Sequence, residues 1–516
     1  MILAQPDIIP KIDKYAREQL GIPTRELMRR AGEAVANAVR SSVNKKKTVS
    51  VFAGKGNNGG DGYAAALLLK DEYCVCVYDV FGCGQRTEEG RYFLKEFIAS
   101  GGTVKALEFD EQTIIQIRGS DCIVDAVFGT GFSGDYPCEA KKLAELFSSL
   151  ESAVKIAVDV PLGVNAANGS VTDAAVYSAD ITVALGFVKP GLVSYPAKKY
   201  VGKLIYDNIG LQNKEILSTF TFDDYCIDYA LASSLIPQRN DNSNKGSFGK
   251  LLLMSGSPEF RGAAYLSLEA ALRSGVGLVS YLGEKELCDA LISSFPEAIY
   301  KPFSFADTSK QNIDAVLELS GRHTAVLIGS GSSKSEGLRL VIEHLLATEG
   351  SPVVMDADAI NVLADDPQRG RELIRAAKCK VVLTPHPLEF SRISGIPTDE
   401  IQENRLSFAK RFASDHNCIL VLKGAATIVT DGRQTYINSS GSSALAKAGS
   451  GDVLAGMLAS VIASGVDPIS AAALSVYFHG LAADNLALRL SPLGVTPSDL
   501  PREIALQIAK AIQNNK

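Results

Sequence analysis

The amino-acid sequence predicts an α/β protein built on parallel sheets with helices covering both faces. Three observations predict this. Short apolar runs rich in β-branched residues recur along the 516 residues, helix-like stretches separate them, and nearly every run ends in Gly, Asp or Pro. In the first half the runs are TVSVFAG (48–54), CVCVYDVFG (74–82), DCIVDAVFG (121–129), VKIAVDVP (154–161) and ADITVALG (179–186). In the second half they are KLLLMSG (250–256), TAVLIGSG (324–331), SPVVMDAD (351–358), KVVLTPHP (380–387) and NCILVLKG (417–424). Helical patterning falls between them, as in RELMRRAGEAVANAVRSSV (25–43) and GAAYLSLEAALRSGVG (262–277). Open α/β sheets bind ligands beyond the carboxyl ends of their strands, so the polar run ends are the first candidates for function.

The pattern stalls near residues 211–246, which are polar and end Asn/Ser/Lys-rich. This places a domain boundary near residues 215–228 and gives two units, 1–220 and 221–516. The chain is 46% hydrophobic and 21% charged with a net charge of −6, and no long basic tract marks it as a nucleic-acid binder. No apolar run is long enough to cross a bilayer, and the opening MILAQPDIIPKIDKYAREQLGI carries charges where a signal peptide needs an apolar stretch. A cytoplasmic protein is expected. Nine scattered cysteines are read as reduced thiols, and the five histidines form no zinc motif.

In the first half, GKGNNGGDGY (54–63) follows a strand and leads into a helix expected over 63–70. Its glycines permit close backbone approach, and Asn57, Asn58 and Asp61 put polar groups at the mouth. DAVFGTGFSGD (125–135) ends a strand in a loop suited to phosphate contacts. AVDVPLGVNAANG (157–169) ends one in Asp159, either a ligand-handling acid or a helix cap. Three such ends in one doubly wound sheet should meet in one crevice.

In the second half, the segment with most information is SSALAKAGSGDVLAGML (442–458), a Gly/Ser-rich loop running into a helix. Bare amides at Gly449, Ser450 and Gly451 suit an anion, and Asp452 in the first turn suits a general base. A plain helix cap is the other reading. Gly262, Ala263 and Ala264 leave room at a helix start, and IGSGSS (328–333) is a further glycine-rich strand end. Asp356 and Asp358, followed by Asn361, suit magnesium or a polar substrate, although Asp358 alone reads equally as a cap. Two prolines stiffen the turn that projects His386 and Glu389, His386 reading either as a ligand contact or as a structural histidine, and Lys423-Gly424 reads as a phosphate cradle.

These motifs together carry a resemblance. The series SGS, GAA, LRSG, IGSGSS, DADAIN, TPHPLE, KGAAT and AKAGSGDVLAG over residues 244–490 resembles the ribokinase-like ADP- or ATP-dependent NAD(P)H-hydrate dehydratases. GNNGGDGY, DAVFGTG and DVPLG resemble the NAD(P)H-hydrate epimerase domain, in the domain order of the bifunctional microbial enzymes. The resemblance implies a Rossmann-like doubly wound sheet followed by a ribokinase-like α/β domain. It implies epimerisation of R and S hydrates of NADH and NADPH, then dehydration of the S form with ADP (or ATP) as co-substrate. Magnesium and potassium are the ions it implies. A homo-oligomer without nucleic-acid or membrane partners is expected.

Carried over residue by residue, the resemblance makes Asp159 and Asp452 catalytic. Hydrate would contact Asn57, Asn58, Gly59, Gly60 and Asp61, then Gly129, Thr130, Gly131, Phe132, Ser133, Gly134 and Asp135, with Asp159. In the dehydratase half it would contact Ala263, Gly331, His386 and Asp452. Nucleotide would contact Lys423, Gly424, Ala425, Ala426 and Thr427. The second nucleotide segment is Ser442, Ser443, Ala444, Leu445, Ala446, Lys447, Ala448, Gly449, Ser450 and Gly451. Asn58, Asp125 and position 162 match a potassium site. Leu162 stands where the family usually has Ser, so only its carbonyl could serve, and GSSALAK lacks the usual Pro-Gly before L-A-K. The alternative reading is a vitamin-precursor kinase fused to a non-catalytic nucleotide-binding domain.

Overall fold

The computed structural model describes residues 1–82, 86–132, 136–172 and 176–514. It divides into two compact units, Ile2–Asp224 and Met1 with Tyr225–Lys516. Among the described residues no helix is long and apolar enough to cross a membrane.

The first unit is a parallel sheet of β1 (Thr48–Ala53), β2 (Cys74–Asp79), β3 (Thr103–Ala106), β4 (Cys122–Ala126), β5 (Val154–Val158), β6 (Ile181–Leu185) and β7 (Lys203–Asp207). The strand order is β3-β2-β1-β4-β5-β6-β7. Val49, Val51 and Ala53 of β1 enter one core cluster and Phe52 the other, so the strand is buried on both faces. That explains its unbroken apolar run. The order reverses between β1 and β4, which makes their carboxyl ends the switch point of the sheet. Helices α1 (Ile9–Glu18), α2 (Thr24–Ser42) and α3 (Asn57–Leu69) pack on this unit.

Helix α3 starts at Asn57, six residues before the expected Tyr63, so the glycine-rich motif is helical and not a loop. Its glycines serve close packing. A Cβ on Gly59 would lie 1.9 Å from the Gly54 carbonyl oxygen, and one on Gly60 would lie 2.5 Å from Met28 Cε.

The second unit carries β8 (Lys250–Met254), β9 (Leu278–Gly283), β10 (Ile299–Pro302), β11 (Ala325–Ile328), β12 (Val353–Met355), β13 (Val381–Leu383), β14 (Ile419–Leu422), β15 (Ile428–Thr430) and β16 (Thr435–Asn438). Among these nine strands the order is β16-β15-β14-β13-β12-β11-β8-β9-β10, and the strand Asp224–Ile227 lies beyond β16. Strands β8 to β14 pair in parallel, but β14-β15-β16 are antiparallel, which corrects the expectation of a wholly parallel sheet. The reason is local: the β15–β16 turn closes over Asp431, which accepts from the Arg433 and Gln434 amides, and so short a connection admits only antiparallel pairing. The helices that matter to the site are α4 (Arg261–Arg273), α5 (Pro387–Ser394), α6 (Arg405–His416), α7 (Ser450–Ala463) and α8 (Pro468–Gly494).

Candidate active sites

In the second unit the ends of β11 to β14 converge on Asp356, which is buried. Its Oδ2 accepts from Ser330 Oγ at 2.9 Å, and its Oδ1 from Thr384 Oγ1 at 2.7 Å and Lys423 Nζ at 2.8 Å. Four strand ends are thereby tied through one carboxylate. Lys423 is thus bonded inward and is not a free strand-tip cation. A Cβ on Gly451 would lie 3.3 Å from its Nζ, so the ammonium sits under the start of α7.

Helix α7 begins after Gly449, which has φ 100°, and no side chain caps it. The Ser450 amide is taken, donating to the Lys447 carbonyl at 3.2 Å, but those of Gly451 and Asp452 are left for an anion. Asp452 stands in that first turn, half-buried. Burial pushes its carboxyl up to about 7, and the negative charge of Asp356 adds to this while Lys423 opposes it. A carboxylate with that affinity is matched to proton abstraction near neutral pH.

The other expected residues take varied places. Gly331 has φ 64°, and a Cβ there would be 2.6 Å from Ala263 Cβ, so these two adjoin. His386 caps α5: its Nδ1 accepts from the Leu388 and Glu389 amides while Glu389 Oε2 accepts from the His386 amide. Burial and Lys423 lower its pKa. Asp358 opens a helix but does not cap it; its Oδ2 accepts from the Ser333 amide at 3.0 Å. Lys447 is turned away to the carbonyls of Leu493 and Val495. The Gly424 turn rests on Arg405, a buried side chain on α6 that donates to the carbonyls of Leu422 and Lys423. Ser443–Leu445 form a single 3-10 turn. Ala357 (φ 48°) and Ala426 (φ 50°) bend the backbone where glycine is the usual residue. Asp356 is held by three protein donors, with Oδ1 taken by Thr384 and Lys423 and Oδ2 by Ser330.

In the first unit a cavity of about 490 Å³ is lined by Asn57, Asn58, Asp61, Gly129–Phe132 and Asp159. Ser133, Gly134 and Asp135 lie outside the described residues. Asp159 has φ 66° and pairs with Lys189, which is fully buried and also donates to the Leu185 carbonyl at 2.9 Å. Asp13 of α1 faces the same space. Burial raises its carboxyl to about 6, and burial with the charges of Asp159 and Asp13 raises Asp61 well above the ordinary range.

Asn58 donates its amide to the Phe128 carbonyl at 2.7 Å, and its Oδ1 is buried with no hydrogen-bond partner. Asp125 accepts from the Val127 and Leu162 amides, and burial raises it to about 6. An orphan amide oxygen and a buried carboxylate are oxygen donors of the kind that suit a monovalent cation. The Leu162 side chain itself packs in the core.

Sequence reasoning missed Asp13, Lys189, Ser330, Thr384 and Arg405 as site residues. Lys189 had a faint signal, a lysine just past a strand end and before Pro190. Ser330 and Thr384 lie inside the IGSGSS and TPHPLE motifs without having been singled out, and Asp13 and Arg405 are single charged residues that only the fold brings into place.

Fold and sites define a two-site α/β enzyme, a Rossmann-like domain fused to a ribokinase-like one. Residues 24–191 match the family described as YjeF-related protein N-terminus, and residues 251–506 match NAD(P)H-hydrate dehydratase. The chain belongs to the bifunctional NAD(P)H-hydrate repair enzyme family. It is 32% identical over 501 residues to the member from Coxiella burnetii, covering 97% of this chain and 98% of that one. With the Escherichia coli member it shares 31% identity, covering 96% and 91%. The crystal structure of an ADP/ATP-dependent NAD(P)H-hydrate dehydratase from Bacillus subtilis, co-crystallized with ATP/Mg2+, aligns over 57% of this chain and 99% of its own at 28% identity and a TM-score of 0.48.

Proposed function

We propose that this chain restores hydrated NADH and NADPH, epimerising R and S hydrates in the first unit and dehydrating the S form in the second. The hydrate carries a hydroxyl on the carbon next to the ring nitrogen, and hydroxide is a poor leaving group. Phosphorylation converts it into a good one. Asp452 takes the hydroxyl proton as the oxygen attacks the β-phosphorus of ADP, and AMP leaves. The open amides at the start of α7 and the nearby Lys423 charge stabilise the phosphoryl group in transit. The ring nitrogen's electron pair then expels phosphate, and loss of the neighbouring proton restores NAD(P)H.

Nucleotide is assigned to Lys423–Thr427 and Ser442–Gly451, and the hydrate ring to Ala263, Gly331, His386 and Asp452. Magnesium would come with the nucleotide phosphates. Asn58, Asp125 and the Leu162 carbonyl would hold potassium, which would offset the Asp125 charge.

The observation that carries this reading is a half-buried carboxylate in the first turn of an uncapped helix beside Lys423. The test is incubation of mixed NADPH hydrate epimers with ADP, with ATP or with neither, following absorbance of the reduced ring and release of free phosphate. Full recovery with free phosphate is expected. A stable phosphate ester would instead identify a kinase.

A further inference from the structure

We propose that Asp61 is the acid and Asp159 the base of the epimerising site, working across a ring that opens and recloses. This rests on the epimerase reading above and adds the division of labour within that site. Five charged side chains line the cavity: Asp13 on α1, Lys55 ahead of α3, Asp61 on α3, Asp159 after β5 and Lys189 after β6. Lys189 is buried, and its ammonium is spent on Asp159 and the Leu185 carbonyl. Asp159 is therefore the carboxylate of an ion pair. Among the described residues neither Asp61 nor Asp13 has an ion-pair partner. With one buried cation already committed, further ionisation in the cavity meets like charge, and burial with the charges of Asp159 and Asp13 raises the Asp61 carboxyl, which favours its neutral form. A carboxylate tied to a buried ammonium, facing a second carboxyl that has no cation of its own, is an arrangement suited to acid–base work.

The substrate needs both. Its hydroxyl-bearing carbon is bonded to the ring nitrogen, so the group is a hemiaminal. Asp159 takes the hydroxyl proton, the carbon–nitrogen bond breaks with its electron pair going to nitrogen, and Asp61 delivers its proton to that nitrogen. The carbon becomes an aldehyde. Rotation presents its other face; nitrogen returns its proton to Asp61 as it attacks, and Asp159 reprotonates the oxygen. No electron or atom is gained or lost, and both acids are reset, so the pair works in either direction.

Two measurements on the full chain test this. The first is R-to-S conversion of NADPH hydrate by wild type, Asp61→Asn and Asp13→Asn across pH. The amide introduced by Asp61→Asn keeps the shape but cannot transfer a proton, so a loss of about 100-fold or more is expected, with the alkaline fall of the wild-type profile gone. A thermal melt and circular-dichroism spectrum matching wild type check that the first unit of each variant is folded, since dehydration in the second unit does not report on it. An Asp61→Asn rate within tenfold of wild type, or a loss confined to Asp13→Asn, overturns the assignment. The second uses wild type and hydrate labelled with ¹⁸O in the hydroxyl. Retention of label in the new epimer is expected in single turnover; its loss to solvent means hydroxide departs, and overturns ring opening. A wild type that does not epimerise overturns the epimerase reading itself.

Discussion

At Asp452, burial and the charges of Asp356, Asp358 and Glu389 oppose ionisation, while Lys423 favours it. As a base it must be ionised, so kcat/KM for dehydration should rise with pH through about 7 and level off above. Asp358→Asn removes one opposing charge yet keeps an acceptor for the Ser333 amide, and should move that rise to lower pH. Asp452→Asn should cut dehydration by about 10²–10⁴-fold while calorimetric ADP affinity stays within a few-fold. Its stability effect has a definite sign. The unfolded chain loses this proton near 3.8 and the folded one near 7, so the folded form binds more protons between those values and loses stability as pH rises. The melting temperature of Asp452→Asn relative to wild type should therefore climb over that window. Asp452 and Asp159 were legible because each sits at a strand end or helix start marked by glycine or proline. Lys189 and Asp13 were not, because their roles come from the cavity and not from neighbours in sequence.

Among the elements, buried parallel strands were the easiest to read, since both faces demand apolar residues and leave an unbroken run. The short edge strands β3 and β10 share an exposed, partly buried, exposed, exposed pattern and leave no such run. The β15–β16 hairpin carried a usable signal, the Asp431-Gly432 pair between two β-branched stretches. Helix contacts hidden from sequence set the site geometry. Helices α4 and α7 meet at Gly456, where an added Cβ would lie 2.3 Å from the Ser267 carbonyl oxygen. Gly456→Ala should destabilise the second unit by about 1–3 kcal/mol in denaturant titration and slow dehydration, leaving epimerisation untouched.

Across the whole molecule, each unit has its own sheet, core and cluster of charged groups. Independent chemistry follows. With mixed epimers and ADP, Asp159→Ala should stop at the S fraction and then creep forward at the uncatalysed exchange rate. Asp452→Asn should recover nothing beyond spontaneous loss of water. Mixed together, the two variants should regain full recovery, because the epimer released by one protein is free to reach the other; failure of the mixture would mean that hydrate must pass within a single chain. The turn at Ala357 has a consequence for heat. It holds φ 48° and ψ −109° between Asp356 and Asp358, a shape in which a methyl group is crowded and glycine is at ease. Ala357→Gly should thus melt later yet turn over more slowly, so that hardiness and pace trade against each other at one carbon atom.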